Sequence, residues 1–127
     1  MGKPIGTKPS KDEIISRIED SLTEPYISGP ITCTESKSQL LIFQSEQEPV
    51  QIDLNPIGGE WNKKYTGIDC RVYEIPPDKE SYSKQFKTHF HIHNGKTWDE
   101  LISDFIFTLS GAIHSTVKNI ENKDNKS

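Results

Sequence analysis

The residues with the clearest chemical potential form a histidine row. Three of the four histidines lie in the segment Thr88-His89-Phe90-His91-Ile92-His93. Side chains alternate between the two faces of a β-strand, so His89, His91 and His93 would share one face, while the intervening residues would face a core. Imidazole binds zinc, copper and nickel and changes its charge near neutral pH. The row therefore indicates a site for a metal ion or for a negatively charged group.

A metal site on this row would need a ligand from another strand. Side chains two residues apart on a strand lie roughly 7 Å apart, so three imidazoles on one straight strand cannot converge on a single ion. Two histidines with a carboxylate or a thiolate from a neighbouring strand would suffice, but the HExxH and CxxC spacings are absent. No cofactor is the first expectation, and zinc or another transition metal is the alternative.

An anion site has support from the surrounding lysines. Lys84, Lys87 and Lys96 lie between Ser81 and Trp98, a segment without an acidic residue. Together with the histidines they would form a positive stripe that strengthens as the pH falls below about 6.5. Such a stripe would bind a nucleotide, an RNA backbone or an acidic protein surface. The alternative is a solvated strand face without a ligand.

The histidine row also resembles a known family pattern. Its alternation of histidine and apolar residues is similar to that of the histidine triad nucleotide hydrolases and transferases, and Gln85 lies where that family often has a glutamine. The resemblance implies that His91 is the nucleophile and that His89 and His93 support the phosphate site. It covers Gln85–His93, and Asn94-Gly95 stand where the family has two apolar positions. The likeness is therefore one of strand pattern and not of membership.

Two helices with capping boxes enclose the segments that could form a sheet. Ser10-Lys11-Asp12-Glu13 precedes apolar residues at helical spacing, which predicts an N-terminal helix. Thr97-Trp98-Asp99-Glu100 opens a longer helix whose broad apolar face could close a sheet. Phe107 falls on the opposite side of this helix and is a candidate partner contact. Four residues share that polar side in the prediction: Ser103, Ser110, His114 and Lys118.

The segments between the helices have the lengths and patterns of β-strands. Strands are predicted in the second half of Tyr26–Thr34 and over Gln39–Gln44, Val50–Leu54, Asp69–Ile75 and Lys84–His93. Asn55–Ile68 is predicted as a long loop, in which Trp61 is either a lid over the edge of the core or, less often, a ligand contact. Cys33 and Cys70 are predicted to be reduced, buried thiols. Whether the two cysteines are neighbours is left open.

Length and composition limit the fold and the class of function. The chain has 127 residues, a formal net charge of -4 and a mean hydropathy of -0.69. The pattern predicts an α+β fold: an N-terminal helix, a four- to five-stranded, mainly antiparallel meander, and a long C-terminal helix packed across one face of the sheet. We expect a single domain over residues 10–120, between flexible tails at residues 1–9 and 121–127.

The same features favour a binding protein. The net negative charge argues against a protein that coats nucleic acid, and no apolar run reaches the roughly 18 residues of a membrane span. No signal peptide is visible, so a cytoplasmic protein is expected. We expect a non-enzymatic accessory protein of immunity, antitoxin or inhibitor type with a protein partner. The alternative is a metal- or nucleotide-phosphate-binding protein or hydrolase that uses His89, His91 and His93. The oligomeric state is left open.

Overall fold

The predicted arrangement of helices and strands is confirmed by a computed structural model. It describes residues 4–22, 31–36, 39–47, 49–62, 64–74, 83–90 and 95–124. The elements in chain order are α1 (Lys11–Ser21), β1 (Ile31–Glu35), β2 (Leu41–Ser45), β3 (Val50–Ile57), β4 (Gly67–Glu74), β5 (Ser83–His89) and α2 (Trp98–Asp124). The strands form one antiparallel sheet in the order β1-β2-β3-β4-β5. No helix among the described residues has the length and apolarity to cross a membrane.

Both helices begin at the predicted capping residues. The Ser10 hydroxyl accepts a hydrogen bond from the Glu13 amide at 3.3 Å. At the start of α2 the box is reciprocal, since the Glu100 amide donates to the Thr97 hydroxyl at 3.1 Å and the Thr97 amide donates to Glu100 Oε1 at 3.2 Å. These bonds satisfy amide groups that have no partner within the helix. The capping boxes therefore fix where each helix starts.

The core lies between one face of the sheet and α2. The helix contacts β3, β4 and β5, while α1 contacts β1 and α2. Phe86 and Phe90 on the sheet side meet Phe105 and Trp98 of α2, with ring centroids 5.5 and 5.3 Å apart. The buried residues of α2 follow the helical period: Trp98, Leu101, Ile102, Phe105, Ile106, Leu109, Ala112 and Ile113. The other face of the sheet has no described helix packed on it, and we call it the open face.

The loop after β3 is shorter than the sequence predicts. The sequence predicts a loop over Asn55–Ile68, but β3 continues to Ile57 and β4 starts at Gly67, so Pro56 pairs with Ile68 inside a strand. Proline is tolerated here because the ladder between β2 and β3 ends at the pair Leu41 and Leu54. Beyond Leu54 the amide side of β3 is an edge, where a missing N–H donor costs no ladder hydrogen bond.

The N-terminal segment before α1 contacts the domain. Ile5 forms a parallel bridge with Thr97, and its amide donates to the Lys96 carbonyl at 2.8 Å. Lys8 Nζ donates to the carbonyl of Tyr65 at 2.8 Å, and the Tyr65 hydroxyl donates to the carbonyl of Pro9 at 2.7 Å. The sequence predicts a flexible tail over residues 1–9 because its composition is polar and poor in apolar residues. Composition cannot predict these long-range contacts of residues 4–9. The flexibility of the segment stays a prediction.

Candidate functional site

The described part of the histidine row alternates between the two sheet faces. Phe90 is fully buried, whereas His89 is exposed at the end of β5, opposite Gly67. The amide of Phe90 donates to the Thr66 carbonyl at 2.8 Å, which holds the chain against the sheet just past the strand. His91 and His93 lie outside the described residues. The metal and phosphate hypotheses each need at least one of these two histidines and therefore stay predictions.

The side chains beside His89 on the open face carry both signs of charge. Lys87 pairs in register with Asp69, and the Gln85 amide donates to Asp69 Oδ1 at 3.1 Å. Arg71, opposite Gln85, adds a positive charge. A polar depression of about 240 Å³ lies here, lined by Asp53, Asn55, Asp69, Arg71 and Gln85. The positive stripe expected from β5 alone is thus interrupted by carboxylates from β3 and β4.

The remaining lysines of the expected stripe point elsewhere. Lys84 pairs with Val72, which is buried, so Lys84 lies on the helix side of the sheet at the exposed start of β5. Lys96 Nζ forms an ion pair with Asp104 Oδ2 of α2 at 3.3 Å. The four described members of the predicted anion site therefore do not form one surface. Lys87 and His89 share the open face, and Lys84 and Lys96 do not.

A hydrogen-bonded network crosses the middle of the open face. The Tyr73 hydroxyl donates to Asp53 Oδ2 at 2.9 Å, and the amide of Gln51 donates to Asp53 Oδ1 at 2.8 Å and also contacts the Tyr73 hydroxyl. Partial burial, followed by the hydrogen bond to the Asp53 carboxylate, raises the pKa of Tyr73 to about 12. The phenol therefore stays protonated to a higher pH than that of a free tyrosine and remains a donor to the Asp53 carboxylate.

The two cysteines lie on strands that are not neighbours in the sheet. Cys33 lies on β1 and Cys70 on β4, with β2 and β3 between them, and both are free thiols. Burial is the main cause that raises the pKa of Cys33 to about 11, and it raises the pKa of the more deeply buried Cys70 further. No three metal-binding side chains come together among the described residues. Cys70 is therefore a buried core residue as predicted, whereas Cys33 is only partly buried and packs against the core, because β1 is an edge strand of the sheet.

Thiol labelling should show that the folded protein protects both thiols and protects Cys70 more than Cys33. The thiolate is the reacting form, so at pH 8 we expect Cys33 in the folded protein to react roughly a hundredfold more slowly than in the unfolded chain. Raising the pH towards 11 should accelerate labelling of Cys33 before Cys70. A Cys33→Ser variant, labelled with and without denaturant, isolates Cys70. Rapid labelling of both thiols at pH 8 in the folded protein would contradict the burial described here.

Trp61 belongs to the core edge. Its side chain is 2% exposed, and its ring lies 5.4 Å from that of Tyr65. Gln39 accepts two hydrogen bonds from Trp61: the indole N–H donates to the Gln39 carbonyl at 2.7 Å, and the Trp61 amide donates to Gln39 Oε1 at 3.1 Å. Gln39 has a φ of 69°, a left-handed conformation that is uncommon outside glycine. A polar depression of about 330 Å³ lies beside it, and Trp61 and Gln39 are among the residues that line it.

Phe107 is exposed on the outer side of α2. Its side chain is 78% exposed, and the other large apolar residue exposed among those described is Ile5, at 55%. Beside it a groove of about 290 Å³ runs between the two helices, lined by Arg17, Ser21, Ser103, Ile106, Phe107 and Ser110. An exposed aromatic residue next to a concave surface is a typical protein contact.

The flank of α2 that forms this groove differs from the prediction at Ser110. Helical periodicity placed Ser110 on the polar side with Phe107, but it is 6% exposed. Ser110 lies about 60° from Phe107 around the helix, on the side that faces α1. The packing of α1 beside α2 therefore buries a residue that the isolated helix would expose.

Arg17 joins the two walls of the groove. Its guanidinium donates to Asp99 Oδ1 at 2.6 Å and to the Ser103 hydroxyl at 2.8 Å, so one side chain of α1 binds two residues of α2. Arg17 cannot be identified from the sequence because its partners are more than eighty residues away. Gln39 carries no sequence signal either, although the tryptophan to which it is hydrogen-bonded does.

Comparison of the chain with protein-family models, with curated proteins and with solved structures finds no match.

Proposed function

We propose that this chain is a small, non-enzymatic binding protein of the immunity, antitoxin or inhibitor type, which binds a protein partner through the outer side of α2. The observation that carries the proposal is the 78% exposure of Phe107 beside the groove between α1 and α2. Leaving this ring in water is unfavourable, and its burial would contribute about 1.5–3 kcal/mol to a complex. The accessory class is proposed from the small size and the acidic net charge of -4.

The surroundings of Phe107 suit a contact that forms without rearrangement. Arg17 binds both Asp99 and Ser103 at the groove wall, so these side chains already have partners in the free chain, and side chains that are ordered before docking lose less entropy. Ile106 and Ser110 lie almost buried at the groove, so their positions are set by core packing. A partner would therefore meet a preformed surface with one aromatic anchor.

Site-specific photo-crosslinking tests the proposal. A photoreactive phenylalanine analogue at position 107, irradiated in an extract of the source cells, should form an adduct with a defined protein. Excess wild-type chain should compete for the adduct, and excess Phe107→Glu chain should not. The same analogue at Thr108, which is exposed on the neighbouring side of the helix, is the matched control. Adducts of equal yield from both positions, or adducts insensitive to the wild-type competitor, would refute the proposal.

A further inference from the structure

The exposed side of α2 contains a glycine that the monomer does not require. Gly111 is exposed in the middle of the helix, and a Cβ atom added there would meet no atom within 4 Å. Glycine at such a position destabilises a helix by about 1 kcal/mol relative to alanine. No neighbouring element of the described chain approaches closely enough to require it. A contact with a molecule outside this chain would explain the missing side chain.

Phe107 and Gly111 form an adjacent protrusion and hollow. They are four residues apart, so they lie on one side of α2, separated by about 6 Å along its axis. Consider a second copy of the chain related by a two-fold axis that passes between these two residues, perpendicular to α2. The two helices are then antiparallel, and each Phe107 lies over the Gly111 of the other copy. A two-fold contact requires this kind of self-complementary surface. The glycine would let the two helix axes approach to the short end of the usual 8–10 Å range.

The charges on this side of α2 are also complementary to themselves. The first half carries the carboxylates of Glu100 and Asp104, and the second half carries the basic side chains of His114 and Lys118, all of them exposed. Asp104 also binds Lys96 of its own chain. In the antiparallel register that joins positions 107 and 111, Glu100 faces Lys118 and Asp104 faces His114. A parallel pairing would instead bring like charges together. The charge pattern thus selects the same orientation as the protrusion and the hollow.

We infer that the outer side of α2 binds the same surface of a second copy of this chain, with Phe107 of each copy packed over Gly111 of the other. This inference rests on the part of the proposed function that makes Phe107 a protein contact, and it names a second copy of the chain as the protein bound there. An interface made of one helix from each copy falls below the ~1,200 Å² of total buried area that marks weak or transient complexes. The dimer should therefore dissociate in roughly the micromolar range.

Sedimentation equilibrium over a concentration series is the first test. Wild type should shift from 14.4 kDa towards twice that mass as its concentration rises through the micromolar range. Phe107→Glu should weaken dimerisation by about tenfold or more, as expected for a central aromatic residue. Thr108→Glu adds the same charge next to the contact and should leave dimerisation unchanged. Circular dichroism verifies that each variant is folded.

The variant Gly111→Leu distinguishes an effect on dimerisation from an effect on folding. Leucine is a better helix former than glycine and has open space in the monomer, so the variant should be at least as stable as wild type. Its side chain should nevertheless block the close approach of the second copy and weaken dimerisation. Wild type that remains monomeric throughout the series would overturn the inference. Equal dimerisation of wild type, Phe107→Glu and Gly111→Leu would overturn it as well.

A charge exchange tests the antiparallel register. Glu100 caps the helix, so the exchange is made at Asp104 and His114. His114→Glu and Asp104→Lys should each dimerise more weakly than wild type when alone. An equimolar mixture should recover dimerisation, because the introduced lysine of one chain would then face the introduced glutamate of the other. No recovery in the mixture would overturn the register.

The crosslinking experiment distinguishes failure of this inference from failure of the proposed function. A monomeric wild type whose position-107 adduct contains a different protein would overturn the self-association and leave the proposed function standing. A monomeric wild type without a specific adduct at position 107 would overturn both. A specific adduct between two copies of the chain would support the self-association and the protein contact at Phe107.

Discussion

Replacing Trp61 with alanine should lower the free energy of unfolding by about 3–5 kcal/mol. The ring is 2% exposed and packs against Tyr65, so its removal leaves a large cavity at the edge of the core. It also removes the indole donor of the hydrogen bond to the Gln39 carbonyl. Urea denaturation followed by circular dichroism measures the change, with the fluorescence of the remaining Trp98 as a second probe.

Trp61→Phe is the matched variant for this measurement. It keeps an aromatic ring in the site but loses the indole N–H, so it should be less destabilising than Trp61→Ala. It should remain folded even if Trp61→Ala does not. Most proteins of this size have about 5–15 kcal/mol of stability, and the alanine variant therefore risks global unfolding. A loss below about 1 kcal/mol in Trp61→Ala would contradict the core assignment. Trp61 would then be better explained as a surface or ligand residue.

Gly67→Ala should destabilise the sheet by about 1–3 kcal/mol or more. Gly67 is buried on β4, and an added Cβ would collide with the carbonyl oxygen of Thr88 on β5. This atom belongs to the backbone, so the clash cannot be relieved by rotating a side chain. The two strands must separate near the pair Gly67 and His89. The end of the strand that carries His89 should therefore shift.

A second glycine supplies the control for this substitution. Gly111→Ala adds the same methyl group where nothing lies within 4 Å, and it should stabilise the helix by about 0.5–1 kcal/mol. Both variants are compared by thermal denaturation at low protein concentration, where self-association does not contribute. Amide hydrogen exchange should show faster exchange along β5 in Gly67→Ala alone. Equal stability of the two variants would mean that β4 and β5 are not as close as described.

Local sequence patterns determined the elements of this fold. The capping boxes at Ser10 and Thr97 predicted the starts of both helices, because a cap and its helix lie within one turn of each other. The period of the apolar residues predicted which side of α2 packs on the sheet, and strand alternation predicted that Phe90 is buried. These signals are short-range, so they are complete in the sequence. The α+β meander with a closing helix followed from their order.

The surroundings of the candidate residues were decided by the tertiary structure. Lys87 lies beside Asp69, and Lys96 binds Asp104, so local composition overstated the positive charge of the β5 region. Likewise Pro56 is accommodated in β3 because the ladder between β2 and β3 stops at the pair Leu41 and Leu54. Strand pairing brings together residues whose separation along the chain carries no local signal.

The surface around Phe107 also depends partly on the local sequence and partly on the tertiary structure. The sequence by itself placed Phe107 on the outer side of α2, since helical geometry fixes that direction. The groove beside it exists only because α1 packs next to α2, where Arg17 binds Asp99 and Ser103 and where Ser110 becomes buried. A side chain's direction depends on its own helix, whereas its burial and its neighbours depend on elements that are distant in the chain.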